Sequence, residues 1–272
     1  MWRNGRRGGL KILCPYGRAG SSPAIGSMFG CQRTSSTLFM NPNGTRHENT
    51  SARAVLSSET LSTENSSSPT LLLASASPRR AQILQTLSVP FRVVKSTFEE
   101  PAPTPEHHVQ PAQFVERLAL EKARAAQIDE EETQSRVLIL AADTIVWHND
   151  EILGKPRDEE DAIAMLSRLR GQEHLVLTGV CLRRTNSGEI EYSTLHESTR
   201  VVFNDVSDEW IQAYVATGEP LDKAGSYGAQ DKGALLVKRI EGDFWNVVGL
   251  PLAPLSKLLA NANAPIECFW KK

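Results

Sequence analysis

The sequence predicts an α/β domain with a mixed, partly antiparallel sheet flanked by helices, and three observations carry that reading. The runs LLLA (71–74) and RVLILAAD (136–143) are apolar and short, as strands buried on both faces are. Segments with helical apolar spacing alternate with such runs, the order of an α/β fold. Two long strand-like stretches, about 173–184 and 189–203, are joined by the turn residues TNSG, which marks an antiparallel hairpin.

After strand 71–74, Ser77 and Pro78 make an N-cap and first-turn pair for a helix through Leu87. FRVVKS (91–96) reads as a second strand. The proline-rich loop PAPTPEHHVQP leads to a helix over about 111–127, with Phe114, Leu118 and Ala125 near helical spacing. RVLILAAD follows as the most strand-like run and ends on Asp143. A turn at HNDE joins TIVW to ILGK as a hairpin. Asp158 then caps a helix whose Ala162, Met165, Leu166 and Leu169 form one apolar face, and Gly171 stops it. Beyond the long hairpin come a short helix (207–217), a loop EPLDKAGSYGAQDKG, a strand LLVKRI and a final helix after Pro251. No internal repeat is present.

The chain divides at about residue 69. Residues 1–68 are rich in Ser, Asn, Gly and Thr with sparse, aperiodic apolar residues, too few to offset the entropy of ordering, so a disordered extension is expected. Seven basic residues and no acidic one precede or include Arg46, the composition of a mitochondrial or plastid transit peptide; a plain disordered extension on a cytoplasmic protein fits the same composition. Residues 69–272 form the expected single domain. Residues 71–272 hold 22 basic against 29 acidic residues, which disfavours a broad nucleic-acid surface. No stretch approaches the roughly 18 apolar residues of a membrane span, so no membrane partner is expected. Cys14, Cys31, Cys181 and Cys268 lack metal-site spacing, and unpaired thiols are the expectation.

The chemistry concentrates in SASPRR. With Pro78 as the first helical residue, Arg79 and Arg80 add charge to a terminus that is already partly positive, at a cost of about 0.3–1 kcal/mol. An anion resolves the conflict: free N–H groups, two guanidiniums and the hydroxyls of Ser75 and Ser77 suit a phosphate. The same letters would suit a phosphorylation motif in a disordered segment, but here a buried strand precedes them and an amphipathic helix follows. Asp143 at a strand end fits either a metal-binding or water-activating acid or a turn residue. Lys155 in ILGKP fits a second phosphate cation or a surface lysine, and Lys122 and Glu99 carry no signal alone. P-loop, dinucleotide-binding, zincin and nucleophile-elbow motifs are all missing from the sequence, so a phosphate site here follows another design.

Taken in order and spacing, LASASPRR, AADTIVWHNDEILGKP, EPLDKAGSYGAQ and IEGDFWNVVGLPL closely resemble the blocks of the Maf family of nucleotide pyrophosphatases, over about residues 70–260. The resemblance implies a Maf/ITPase-like fold and hydrolysis of nucleoside triphosphates to the monophosphate and pyrophosphate with Mg²⁺ or another divalent cation such as Mn²⁺. It implies Asp143 as general base and metal ligand and Glu99 as a second acidic member. Ser75, Ser77, Arg79, Arg80, Lys122 and Lys155 become the polyphosphate-binding set. DKAGSYGAQ is similar to the branch acting on dTTP and UTP, where Arg79, Thr144 and Gln230 match positions linked to substrate choice. Ala229 and Asp231 depart from the common isoleucine and glycine on either side of Gln230. The Gln230 amide is expected to meet the O4/N3–H edge of uracil or thymine. Modified pyrimidine triphosphates fall within the same expectation, as does a homodimer. The competing reading is a non-catalytic nucleotide-binding regulator of cell division, which would have little need of an acid facing a triphosphate.

Overall fold

The computed structural model describes residues 69–129, 132 and 136–270. The expected extension, its transit-peptide reading, Cys14 and Cys31 therefore lie outside the described residues.

Among the described residues, seven strands form one sheet: β1 (Thr70–Leu73), β2 (Arg92–Val93), β3 (Val137–His148), β4 (Glu151–Leu153), β5 (Glu173–Asn186), β6 (Glu189–Phe203) and β7 (Val237–Glu241). The order is β2-β1-β3-β5-β6-β7, with β4 also paired to β3. β1 runs parallel to both β2 and β3, and the remaining pairings are antiparallel, so the mixed sheet is present as expected. The helices are α1 (Pro78–Thr86), α2 (Pro105–Val109), α3 (Pro111–Arg124), α4 (Glu159–Leu169), α5 (Asp208–Val215), α6 (Phe244–Val248) and α7 (Leu252–Asn261).

The pleat of β3 sorts the core. Val137, Ile139 and Ala141 pack with Ala119 and Ala123 of α3, whereas Leu138, Leu140 and Ala142 pack with Ile83 and Leu84 of α1 and Leu255 and Leu258 of α7. Each fully buried leucine or isoleucine contributes about 1.5–3 kcal/mol, which is why β3 reads as an unbroken apolar run. Farther along, Val146, Val176 and Phe203 close the second face against Leu166 of α4 and Ile211 of α5. On the first face α3 comes unusually near, because Gly179 lies beneath it: a Cβ at that position would stand 2.3 Å from the Val115 carbonyl oxygen.

Several boundaries differ from expectation. β3 does not end at Asp143; it continues to His148, and TIVW is its second half. Residue 143 is accessible for another reason. β1 pairs with β3 only from Val137 to Leu140, and β4 pairs with the same edge from Val146 to His148. Between them, residues 141–145 have a strand neighbour only in β5. The second strand shrinks to Arg92–Val93, and the segment 219–236 contains three turns of 3₁₀ helix instead of open loop.

Candidate active site

A cavity of about 660 Å³ opens where the edge of β3 is uncovered, and its volume falls within the roughly 300–1,000 Å³ usual for ligand pockets. Asp143 and Thr144 sit in the uncovered stretch, and the pleat sends them to opposite faces. Asp143 is 7 % exposed and faces α3. There the Lys122 ammonium donates to Asp143 Oδ1 at 2.8 Å and to Glu100 Oε1 at 2.5 Å. Ser96 Oγ donates to the Lys122 carbonyl at 3.0 Å and ties α3 to the segment that carries Glu100.

Glu100, not Glu99, reaches the cavity. Ser96, Phe98 and Glu100 line it, whereas Thr97 and Glu99 do not, which corrects the expectation for position 99. Burial pushes the Glu100 carboxyl up, but the charge and hydrogen bond of Lys122, with help from Lys155 and Arg80, leave it below its ordinary value.

On the α1 side, Ser77 holds the N-cap position in extended conformation but makes no side-chain cap bond; its amide donates to Ser75 Oγ at 3.2 Å. Arg80 is buried. Its Nε donates to the Gly249 carbonyl at 2.8 Å, Nη1 to Ser75 Oγ at 3.0 Å and Nη2 to Thr144 Oγ1 at 3.1 Å. Burial lowers its pKa and the Asp143 charge opposes that, but a guanidinium remains a cation throughout. Arg79 reaches across the cavity to Asp222 Oδ2 at 2.9 Å. Lys155, exposed after β4, lines the same cavity.

The wall opposite α1 is the segment 219–236. Gln230 lines the cavity and is exposed, with its amide 3.5 Å from Gln82 Oε1. The backbone around it is held by the Tyr214 hydroxyl, which accepts from the Gly228 amide at 3.2 Å and donates to Glu219 Oε1 at 2.9 Å. Glu219 in turn accepts from the Gly233 amide at 3.0 Å. Glycine at 233 is required by this packing, since a Cβ there would lie 2.4 Å from the Tyr214 hydroxyl. Tyr227 closes the apolar end, its hydroxyl 2.8 Å from His174 Nε2, and burial holds His174 neutral with a pKa of about 3.

Ser75, Ser77, Arg79, Arg80, Lys122, Asp143, Thr144, Lys155 and Gln230 are thus brought to one cavity. Sequence reasoning missed Glu100, Asp222, Lys223 and Tyr227. The adjacent charges of EPLDKAG were a usable signal: Lys223 is 7 % exposed and donates to Asp222 Oδ1 at 2.8 Å, so a buried lysine presents the carboxylate that meets Arg79.

No cluster of three or more metal-ligating side chains occurs among the described residues. Asp143 and Glu100 nevertheless suit a magnesium-like ion. They converge on one ammonium, each through one carboxylate oxygen. Such ions typically take one or two carboxylates and complete their shell with phosphate oxygens and water.

Fold and site together define an α/β protein with a polyanion pocket cut into the edge of a mixed sheet, lined by cations and one buried carboxylate. The family model described as Maf-like protein matches residues 70–262, and the chain belongs to that family. Among its relatives, the dTTP/UTP pyrophosphatase of Symbiobacterium thermophilum is 46 % identical over 196 residues, 72 % of this chain and 95 % of the relative. That of Nitratidesulfovibrio vulgaris is 45 % identical over 198 residues, 73 % of this chain and 90 % of the relative. That of Bacillus cytotoxicus is 46 % identical over 188 residues, 69 % of this chain and 93 % of the relative.

Proposed function

We propose that the protein hydrolyses dTTP and UTP, and modified pyrimidine triphosphates of the same shape, to the monophosphate and pyrophosphate. The observation that carries the reading is the buried Asp143 carboxylate, held by Lys122 in the uncovered edge of β3 and facing a pocket rich in cations. The names of the relatives supply the substrate class.

Arg79, Arg80, Lys122 and Lys155 neutralise the triphosphate, and the free amides at the α1 N-terminus add donors. Asp143 takes a proton from water as its oxygen bonds to the α-phosphorus; the bond to the bridging oxygen breaks and pyrophosphate departs. Lys122 aims the Asp143 carboxylate through the hydrogen bond to Oδ1. Mg²⁺ or Mn²⁺ bound by Asp143 and Glu100 supplies charge neutralisation and polarises phosphoryl oxygens. The Gln230 amide meets the base edge. The functional form is a homodimer, as the family resemblance implies, and sedimentation of the full chain reads that directly.

The test is pyrophosphate release by the full chain with Mg²⁺ against dTTP, UTP, CTP, GTP and 7-methyl-GTP, with Asp143→Asn in parallel. Turnover of dTTP and UTP that disappears in the variant supports the reading. Tight binding without turnover of any nucleotide would replace it with the nucleotide-sensing regulator. For the extension we propose organellar import, supported by its basic composition; a fluorescent fusion of residues 1–68 that stays cytoplasmic would refute it.

A further inference from the structure

Lys223 is a lysine out of its usual place. Its side chain is only 9 % exposed, although lysine ordinarily keeps its ammonium in water. The stem runs beneath Gly228, where a Cβ would stand 2.8 Å from Lys223 Cε, so glycine at 228 makes room for it. The ammonium donates to the Glu219 carbonyl at 2.6 Å and to Asp222 Oδ1 at 2.8 Å. Glu219 is itself held by the Tyr214 hydroxyl and the Gly233 amide, so the lysine is fixed at both stem and head. The other carboxylate oxygen, Asp222 Oδ2, accepts from Arg79 Nη1 across the cavity at 2.9 Å. Burial pushes the Asp222 carboxyl up, but the hydrogen bonds and charges of Lys223 and Arg79 leave it below its ordinary value.

An arginine has a long stem with many rotamers, and a ligand that meets it loose must also order it. Asp222 orders Arg79 before a ligand arrives: the guanidinium, 19 % exposed, stands in the cavity with one nitrogen turned to the opposite wall. A carboxylate in a polyanion site has a cost of its own, since it repels phosphate. Lys223 removes that cost, because two cations against one anion leave the trio with a net charge of +1. A neutral side chain at 222 would hold the guanidinium more weakly, and an aspartate without the lysine would cancel it.

We propose that Asp222 and Lys223 are positioning residues for polyphosphate binding: Asp222 holds the Arg79 guanidinium in the cavity, and Lys223 holds Asp222 and offsets its charge. This rests on the triphosphate reading of the cavity given above.

The experiment measures binding of inorganic tripolyphosphate by calorimetry, and UTP hydrolysis with Mg²⁺, for the full chain and for Asp222→Ala, Arg79→Met, their double variant and Lys223→Met. Loss of a negative charge would by itself tighten a polyanion, so the sign of the Asp222→Ala effect is decisive. The expected result is a rise in Kd and in KM of about threefold to tenfold, the cost of ordering one long side chain, with kcat within about twofold of the parent. In the Arg79→Met background there is no guanidinium to hold, and Asp222→Ala then leaves Kd unchanged or lowers it. Lys223→Met keeps the buried stem and raises Kd more than Asp222→Ala does, because it loosens Asp222 and leaves its charge to cancel Arg79. Should Lys223→Met fail to fold, Asp222→Ala still decides, since that side chain is 57 % exposed. Tighter or unchanged binding in Asp222→Ala overturns the proposal and makes Asp222 a competitor of the ligand. An equal loss with and without Arg79 overturns it too, as the mark of a wall that has merely shifted. A parent that binds tripolyphosphate but leaves UTP intact overturns the functional reading alone, and one that does neither overturns both.

Discussion

Asp143 and Thr144 are consecutive residues of one strand, yet their surroundings are opposite in kind. Toward α3, Asp143 meets an ammonium shared with Glu100, and both carboxylates line the cavity. Toward α1 and α6, Thr144 Oγ1 accepts from the buried Arg80 guanidinium and lies 3.0 Å from Oγ1 of Thr178 on β5, which donates to the Asn246 carbonyl. The charged face can exchange partners: a phosphate or a metal ion substitutes for one ion-pair contact at little cost, because charges are not directional. The Thr144 face cannot, since each donor there already has a fixed acceptor. Chemistry is placed on the first face and geometry on the second.

The largest break in that contrast is expected from Asp143→Asn. The amide preserves shape and still accepts from Lys122 but cannot take the proton of water, so kcat falls about 10³-fold in a pyrophosphate-release assay with little change in thermal stability. Gly179→Val attacks the charged face from beneath. The helix that carries Lys122 would have to lift off the Val115 contact, and chemical denaturation should show a loss of about 3 kcal/mol or more. If stability is unchanged, the close approach of α3 is not what seats Lys122.

Arg80→Lys tests the Thr144 face. An ammonium cannot serve the Gly249 carbonyl, Ser75 and Thr144 from one fork, and KM for UTP should rise about tenfold to a hundredfold. The smallest effect belongs to Glu100, whose carboxyl is 42 % exposed. Its folded pKa lies below the ordinary value, so its contribution is complete above about pH 4.5 and disappears as pH falls through the lower folded value. Glu100→Gln should lower stability at neutral pH by less than about 1 kcal/mol, as expected for a solvent-screened pair, and the difference from the parent should vanish as pH falls through that acidic window.

Much of the site was legible because it depends on local chemistry. Two arginines after Ser-x-Ser-Pro are unfavourable at a helix start unless an anion comes, and a carboxylate inside RVLILAAD is out of place without a purpose. Glu100 was not legible, because FEE offers two adjacent carboxylates and only the folded course of the segment decides which of them lines the cavity. Thr178 carries no signal at all in LVLTGV; a threonine in a strand is ordinary until its neighbours across the sheet are known.

By itself the sequence determined most of the strands and helices, that they would make a mixed α/β sheet, and that cations would collect at the α1 terminus. Periodicity, turn residues and unlike charges act over a few positions, so they survive in a linear string. Tertiary structure alone decided where the pocket opens. β1 stops at Leu73 and β4 begins its pairing at Val146, and the gap between two registers exposes residues 141–145. Register is a relation between strands distant in sequence, set by packing on both faces at once, and no local pattern records it.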